Sequence, residues 1–542
     1  MSCETNINIA LAQIDTRTAD IEANAEKILK FALCAHEENN ADVAVFPQMS
    51  LPGFPLGDIV LRSSFRKNVK NALNSLADKL VQNGLGSMFV LVGTLSENSF
   101  NEKRESGDIA VLHEGKVSVL NAFSDGFGFF EIKNRIIATY VCNDFADNDS
   151  KAVLNAAKTL QQNKKADALI IADSSPFEEG KSELKNEVFA KIAQNIKAPV
   201  IYANQVGGQD EFVFDGASFV LSPEGRQLAV LKSFREDLIA WTLPQPDFDG
   251  EYPVGRIEPS MSGDEQVYRA CVLGLKDYIE KNNFSGAVLG LSGGIDSALV
   301  AAMAADACGG ENVTGISMPT KYSSDGSKDD AADLAGRIGA KYEVQPVENV
   351  FETFAEQLDA KGVAAENLQA RCRGIIVMTY SNSHSLLALA TGNKSEASCG
   401  YATMYGDTCG GYAPIKDVYK TRVWQLARWR NAYAEKRNEI PPIPENSIIK
   451  PPSAELRPDQ KDSDSLPDYD KLDAILQGYI EKSYGLAELT AEGFDEETVL
   501  KVMRLVDMSE WKRRQCPTGP KVSSCTLGID RRIPITKADN AH

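Results

Sequence analysis

Short apolar runs alternating with helix-favouring stretches set the pattern of this chain. An apolar run at Ile7–Gln13 is followed by a helix pattern over 21–37 and a second run at 43–46. Further runs at 88–92, 136–141, 168–172, 200–203, 217–221 and 229–232 have the length of buried strands, and helix-favouring stretches lie between several of them. This is an α/β pattern. Pro244, Pro246, Pro253 and Pro259 then crowd residues 242–259, together with acids and glycines, and that composition reads as extended chain. The expected division is a first domain over 1–245, a linker over 246–262 and a second domain over 263–542.

The second region alternates more plainly. Strands are expected at 287–289, 313–317, 342–347 and 386–390, with helices over 297–307, 327–338, 350–358 and 365–381. Strands that alternate with helices imply a parallel, doubly wound sheet, and such sheets bind ligands beyond the carboxyl ends of their strands. The tail beyond 432 reads as helical and charged, with a proline-rich loop at 440–444 and a polar segment at 450–466.

At the end of the first of these strands stand Gly290, Leu291, Ser292, Gly293, Gly294, Ile295, Asp296 and Ser297. Adjacent glycines let backbone approach a ligand, two serines add hydroxyl donors, and the amides at a helix start add partial positive charge: a phosphate cradle. An acid inside an anion site makes sense when a divalent metal bridges it to phosphate. No Gly-Lys-Ser/Thr follows, so this is not a Walker loop. The stretch resembles the pyrophosphate loop of the ATP pyrophosphatases, which cleave ATP to AMP and pyrophosphate to adenylate a substrate.

Composition narrows the function classes. The net charge of −19 over 542 residues opposes binding to a nucleic-acid backbone. No apolar run reaches membrane-spanning length, and the first residues lack a basic and apolar signal segment. Ten scattered cysteines contain no Cys-x-x-Cys pair, which points away from zinc and from a disulfide framework, and toward a reducing cytoplasmic setting.

The second region carries further motifs: the run from Ser317 to Ser324, the run from Glu366 to Gly374, Thr391-Gly392-Asn393-Lys394-Ser395-Glu396, Gly400-Tyr401-Ala402-Thr403, Tyr405-Gly406-Asp407, the run from Lys450 to Pro458, and Lys512-Arg513-Arg514-Gln515. Over about residues 262–537 it resembles the synthetase domain of glutamine-dependent NAD synthetases, with an adenine nucleotide alpha hydrolase-like sheet. The resemblance implies a ligase. ATP adenylates the nicotinate carboxylate of deamido-NAD, and ammonia displaces AMP. It implies that residues 290–297, Thr391 and Lys416 contact ATP. It implies that Asp296 and Glu396 hold Mg²⁺. Asn367, Arg371, Glu396, Tyr401 and Lys512 would then position deamido-NAD, in a protein that assembles as a homo-oligomer.

The first region resembles the nitrilase-type glutaminase domain fused to these synthetases. The match rests on Ile9-Ala10-Leu11-Ala12-Gln13, Phe46-Pro47, Ser50-Leu51-Pro52-Gly53, Ser175-Pro176-Phe177, Gly180-Lys181, the run from Val206 to Glu211 and Phe214-Asp215-Gly216. That implies an αββα sandwich with a Glu base, an oxyanion-stabilising Lys and a Cys nucleophile. The chain departs from the pattern. Gln48 stands where the family has its Glu, and an amide accepts no proton at neutral pH. The lysine-bearing segment expected after Gly115-Lys116-Val117 is shortened and holds no lysine. Cys142 remains, in Val141-Cys142-Asn143-Asp144. Losing base and oxyanion donor removes effects on the order of 10² or more apiece.

The expectation is therefore an NAD synthetase that uses free ammonia, or ammonia from a separate glutaminase, with the first region kept as a scaffold. A glutamine-hydrolysing enzyme with a rewired Cys142 site is the alternative. An amide- or thio-transferring ATP pyrophosphatase of another kind, and a catalytically inactive binding protein, are the competing readings. The motifs after Thr391 argue against the first of these, and the intact loop with Glu396 against the second.

Overall fold

The structure is a computed structural model that describes residues 6–96, 106–120, 127–142, 158, 160, 166–246, 248, 250–320, 324–453, 456–457 and 460–538. It divides into two compact units, one of residues 1–209 and 213–261, the other of 210–212 and 262–542.

The first unit is an αββα sandwich. One sheet takes β1 (Ile7–Gln13), β2 (Val43–Val45), β3 (Phe89–Leu95), β4 (Gly107–His113), β5 (Lys116–Leu120) and β14 (Asp237–Leu243) in the order β14-β1-β2-β3-β4-β5. The other runs β13-β12-β9-β8-β7-β6. Its strands are β6 (Phe127–Ile132), β7 (Arg135–Cys142), β8 (Ala168–Asp173), β9 (Val200–Asn204), β12 (Phe219–Leu221) and β13 (Gln227–Val230). A two-stranded ribbon pairs β10 (Val206–Gln209) with β11 (Phe212–Asp215).

Period-two patterning builds the layers. Ile9 and Leu11 of β1 meet Ile137, Ile170 and Ile201 of the other sheet in the central core. Ala10 and Ala12, one residue out of phase, face the helices α1 (Ile21–Asn39) and α2 (Ser63–Gln82). On the far side, Ala138, Leu169 and Ile171 pack under Val188, Phe189 and Ile192 of α3 (Lys181–Ile196).

Apolar runs alone miss β4, β5, β6, β10, β11 and β14. The proline-rich stretch also begins differently from the expectation. Thr242 and Leu243 belong to β14, which pairs antiparallel with Asn8 and Ile7 of β1. The residues beyond are strapped onto the first unit, with the Val230 amide donating to the Arg256 carbonyl, the Gly255 amide to Leu228, and the Trp241 indole to Pro253 at 2.8 Å. Prolines remove donors from this stretch, yet these amides and carbonyls pair.

The second unit opens with α4 (Gly263–Lys281) and holds a four-stranded parallel sheet. The order is β17-β16-β15-β18, from β15 (Ala287–Gly290), β16 (Val313–Ser317), β17 (Lys341–Val344) and β18 (Leu387–Ala388). Helices α5 (Ile295–Cys308), α6 (Asp325–Ile338), α7 (Glu348–Gln357) and α8 (Val363–His384) connect the strands. After β18 come the short helix α9 (Lys394–Cys399) and the longer α10 (Lys420–Lys436). The chain steps from β15 outward to β17 and then returns to β18 on the other side. The end of β15 is therefore the topological switch point, where doubly wound sheets bind ligands. No helix among the described residues is long and apolar enough to cross a membrane.

Candidate active site

A cavity of about 470 Å³ opens at the carboxyl end of β15. That is within the range of small-molecule sites. Residues 290–297 form one wall. Gly293 sits at φ +77°, and a Cβ there would lie 2.3 Å from the Ser327 carbonyl oxygen, so only glycine fits the turn. The Gly294 amide donates to Ser292 Oγ at 3.2 Å, and Ser297 Oγ donates to the Gly294 carbonyl at 3.0 Å. Gly294 caps α5 without a side chain, which leaves the first-turn amides for an anion.

Asp296, in the first turn of α5, is the electrostatic centre. Its Oδ1 accepts from Asn393 Nδ2 at 2.9 Å, and its Oδ2 contacts the ammonium of Lys420. Glu396 Oε1 lies 3.7 Å from the same ammonium. Asn393 is buried and closes a capping box on α9 with Glu396, which fixes that carboxylate's backbone. Burial, then the charge of Asp296, pushes the Glu396 carboxyl up to about 8 against the pull of Lys420. Burial works against the Lys420 ammonium, but Asp296 and Glu396 outweigh it and hold its pKa above the ordinary lysine value. Trp424 and Tyr469 complete the box, their ring centroids 5.6 and 5.5 Å from Lys420 Nζ.

The expected site residues divide. Gly290, Leu291, Ser292, Gly294, Ile295, Asp296, Ser297, Asn367, Thr391, Glu396, Tyr401 and Lys512 all line this one cavity. Asn367 Oδ1 accepts from Thr403 Oγ1 at 2.9 Å. Lys512 Nζ donates to the carbonyls of Gly400 and Ala402 at 2.7 and 2.9 Å, and burial lowers its pKa. Burial, then Asp462, keeps the Tyr401 phenol protonated above its usual range. Gly293 supports the wall from behind.

Two expected residues lie elsewhere. Arg371 turns its guanidinium to the Met404 carbonyl at 3.2 Å and does not line the cavity, whereas Arg373 does. Residues two apart on a helix point about 200° apart, so only one of the pair can face inward. Lys416 donates to the Pro517 carbonyl at 2.7 Å, away from the cavity, and burial lowers its pKa.

The sequence motifs include Arg373, Asp407 and Lys450 but assign them no role, and they leave out Lys420; all four line the cavity. Lys420 left a signal. It is the first residue of α10, where a cation opposes the helix dipole, and such a placement calls for an anion in front of it.

The donor set suits a hard divalent cation. Mg²⁺ takes oxygen ligands and is commonly held by one or two carboxylates plus substrate phosphate oxygens. Asp296 and Glu396 converge on one point. Among the described residues no three His, Cys, Asp or Glu side chains form a closed cage, so substrate phosphate and water oxygens would complete the coordination.

In the first unit, Cys142 ends β7 buried and pairs in register with Asp173 of β8. Asp173 accepts from the Tyr202 hydroxyl at 2.7 Å and from the Ser174 amide at 2.8 Å. Burial raises its pKa against the attraction of Lys185. Lys185, on α3, is itself buried, 3.9 Å from Asp215. Gln48 is brought to the same strand ends, since Ser174 Oγ donates to its carbonyl at 2.6 Å. Its side chain packs under Gly107, where a Cβ would lie 2.8 Å from Gln48 Nε2. Lys116 starts β5 directly after the Glu114-Gly115 turn, with His113 as its partner across the hairpin. Asn143 and Asp144, and residues 121–126, where the resemblance places the oxyanion lysine, lie outside the described residues.

Comparison with known proteins covers both units. The family pattern described as NAD synthase matches residues 267–516. The glutamine-dependent NAD(+) synthetase of Acinetobacter baylyi is 37% identical over 98% of this chain and 98% of its own length. That of Rhodobacter capsulatus is 39% identical over 97% and 98%. Among solved structures, the glutamine-dependent NAD+ synthetase of Acinetobacter baumannii in complex with ADP superposes with a TM-score of 0.74 at 34% identity, covering 99% of this chain and 100% of the other. The Cytophaga hutchinsonii enzyme shares the fold with a TM-score of 0.79 at 19% identity.

Proposed function

The chain belongs to the glutamine-dependent NAD(+) synthetase family and is a ligase, and on that premise we propose how its cavity performs the reaction. ATP enters with its β- and γ-phosphates on residues 290–297 and its α-phosphate toward Lys420. Asn367, Tyr401, Arg373 and Lys512 hold deamido-NAD with its nicotinate carboxylate facing the α-phosphorus. The carboxylate attacks, pyrophosphate leaves along the loop, and ammonia displaces AMP. Mg²⁺ bound through Asp296 and Glu396 would neutralise charge as the phosphoryl–oxygen bond breaks. The observation that carries this reading is the convergence of Asp296, Glu396 and Lys420 on the glycine loop, in the same cavity as Asn367, Tyr401 and Lys512. Catalysis here is positioning plus charge stabilisation.

For the nitrogen source, similarity along the full length to glutamine-dependent enzymes supports glutamine, hydrolysed at Cys142. A base other than residue 48 then activates the thiol. One observation favours the second reading, free ammonia: Gln48 is buried at the strand ends where the family carries its carboxylate. Rates of NAD formation by the pure protein, measured side by side with glutamine and with ammonium, separate the two. A glutamine-supported rate that Cys142→Ala removes, while the ammonium-supported rate persists, sustains the first. A wild-type protein inert toward glutamine sustains the second and calls for a separate glutaminase.

The assembly we propose is a homo-oligomer. Helix α7 has no buried residue, and Val350, Phe354 and Leu358 form an exposed i, i+4, i+8 apolar stripe on and just past it. Light scattering that gives a monomer mass at micromolar concentration would remove this part of the proposal.

A further inference from the structure

Lys420 raises a question the reaction does not answer. Its side chain is 2% exposed, yet it bears a charge, and charges that deep require partners at contact distance. Those partners are the two carboxylates assigned to the metal. The ammonium touches Asp296 Oδ2, stands 3.7 Å from Glu396 Oε1, and is closed off by Trp424 and Tyr469. Its backbone is also fixed, since the Lys420 amide donates to Ser395 Oγ at 2.9 Å and the following Thr421 amide donates to Asp473 at 2.8 Å. Asn393 holds the other oxygen of Asp296.

We propose that Lys420 is a place-holding cation: in the nucleotide-free protein its ammonium occupies the position between Asp296 and Glu396 that a divalent metal takes, so that metal loads only together with ATP. This rests on the reading of Asp296 and Glu396 as the metal carboxylates. Two cations cannot share this gap without strong repulsion. ATP resolves the conflict, because a phosphate oxygen gives the ammonium a new anionic partner and frees both carboxylates. The consequence is ordered loading. Free metal is excluded.

The test uses Mn²⁺ as a paramagnetic probe of the full chain without nucleotide. Wild-type protein should bind Mn²⁺ weakly. Lys420→Met, which keeps length and removes charge, should bind it about tenfold more tightly, the scale of a typical coupling between sites. Lys420→Arg should stay near wild type. The gain should vanish in Lys420→Met combined with Asp296→Asn. Mg²⁺ without ATP should raise the melting temperature of Lys420→Met and leave wild type unmoved. Lys420→Gln, which keeps a hydrogen-bond donor toward Asp296, serves the same comparison where the Met variant does not fold. A second arm adds a non-hydrolysable ATP analogue to wild type and to Asp296→Asn. Bound Mn²⁺ that disregards Asp296 would overturn the metal assignment and the place-holder with it. Mn²⁺ that requires Asp296, with unchanged nucleotide-free affinity in both Lys420 variants, overturns the place-holder alone.

Discussion

Two strand-end sites in this chain carry different side-chain chemistry. In the second unit, the end of β15 presents a glycine loop, two carboxylates and a buried ammonium that answer one another at contact distance. In the first unit, the ends of β7 and β8 present Cys142 beside Asp173, with an amide, Gln48, where the sequence resemblance implies a carboxylate. Both units have buried apolar cores: the first layers alternate faces of its strands, and the second packs Val288, Ile316 and Ala388 of its sheet with Val377. Fold therefore tells nothing of which site is chemically complete; the side chains at the strand ends do.

The largest effect should come from contrasting the two sites in one assay. With ATP, deamido-NAD and ammonium, Asp296→Ala should lower the rate of NAD formation by about 10²–10³-fold, the usual loss for a charge-stabilising group. Cys142→Ala should leave that rate within about twofold, because ammonium bypasses the first unit. A Cys142 variant that also lost the ammonium-supported rate, while still folded, would break the comparison by making the two sites one machine.

Next comes restoration. Gln48→Glu returns a carboxylate to a buried place packed beneath Gly107. If the missing base is what limits amide hydrolysis, glutamine-supported synthesis should rise by about 10², with ammonium-supported synthesis unmoved. No gain would locate the deficit elsewhere in the first unit.

Much of this was legible beforehand, and the gaps have physical causes. Parallel strands buried on both faces read as continuous apolar runs, so β15, β16, β8 and β9 stood out. The antiparallel strands β5 and β14 carry exposed or half-buried positions and did not. The glycine loop was readable because its chemistry is local: glycines, serines and one acid in eight positions. Lys420 was not, because its meaning depends on Asp296, 124 residues away. Lys416 and Arg371 were placed in the site by motif, yet each side chain is spent on a carbonyl oxygen outside the cavity. A motif orders residues along the chain, whereas the direction of each side chain is settled by helix phase and turn geometry.

Gly293→Ala tests the loop's backbone with a smaller effect. Its φ of +77° is costly for alanine, and the new Cβ would strike the Ser327 carbonyl. The expected loss is about 1–3 kcal/mol of stability or of ATP binding, read by urea unfolding and by the KM for ATP. An alanine variant with both unchanged would show that the turn relaxes freely and that the loop is less rigid than its packing implies.

The smallest effect distinguishes how each unit treats a buried carboxylate. Asp296 is met by an ammonium. Asp173 is held at contact distance by neutral donors, the Tyr202 hydroxyl and the Ser174 amide, and burial raises its pKa above the ordinary aspartate range. A carboxyl raised on folding binds its proton more tightly in the native state. Its contribution to stability is therefore fully present below about pH 4 and is lost as pH rises through the folded value. Asparagine cannot ionise and lacks this loss. Asp173→Asn should accordingly gain on wild type as the pH of urea unfolding is raised from about 4 toward neutrality. A difference between the two proteins that stayed flat over that range would mean that Lys185 and Lys181 already compensate the ionised carboxylate. The first unit's strand end would then be as well matched in charge as the second's.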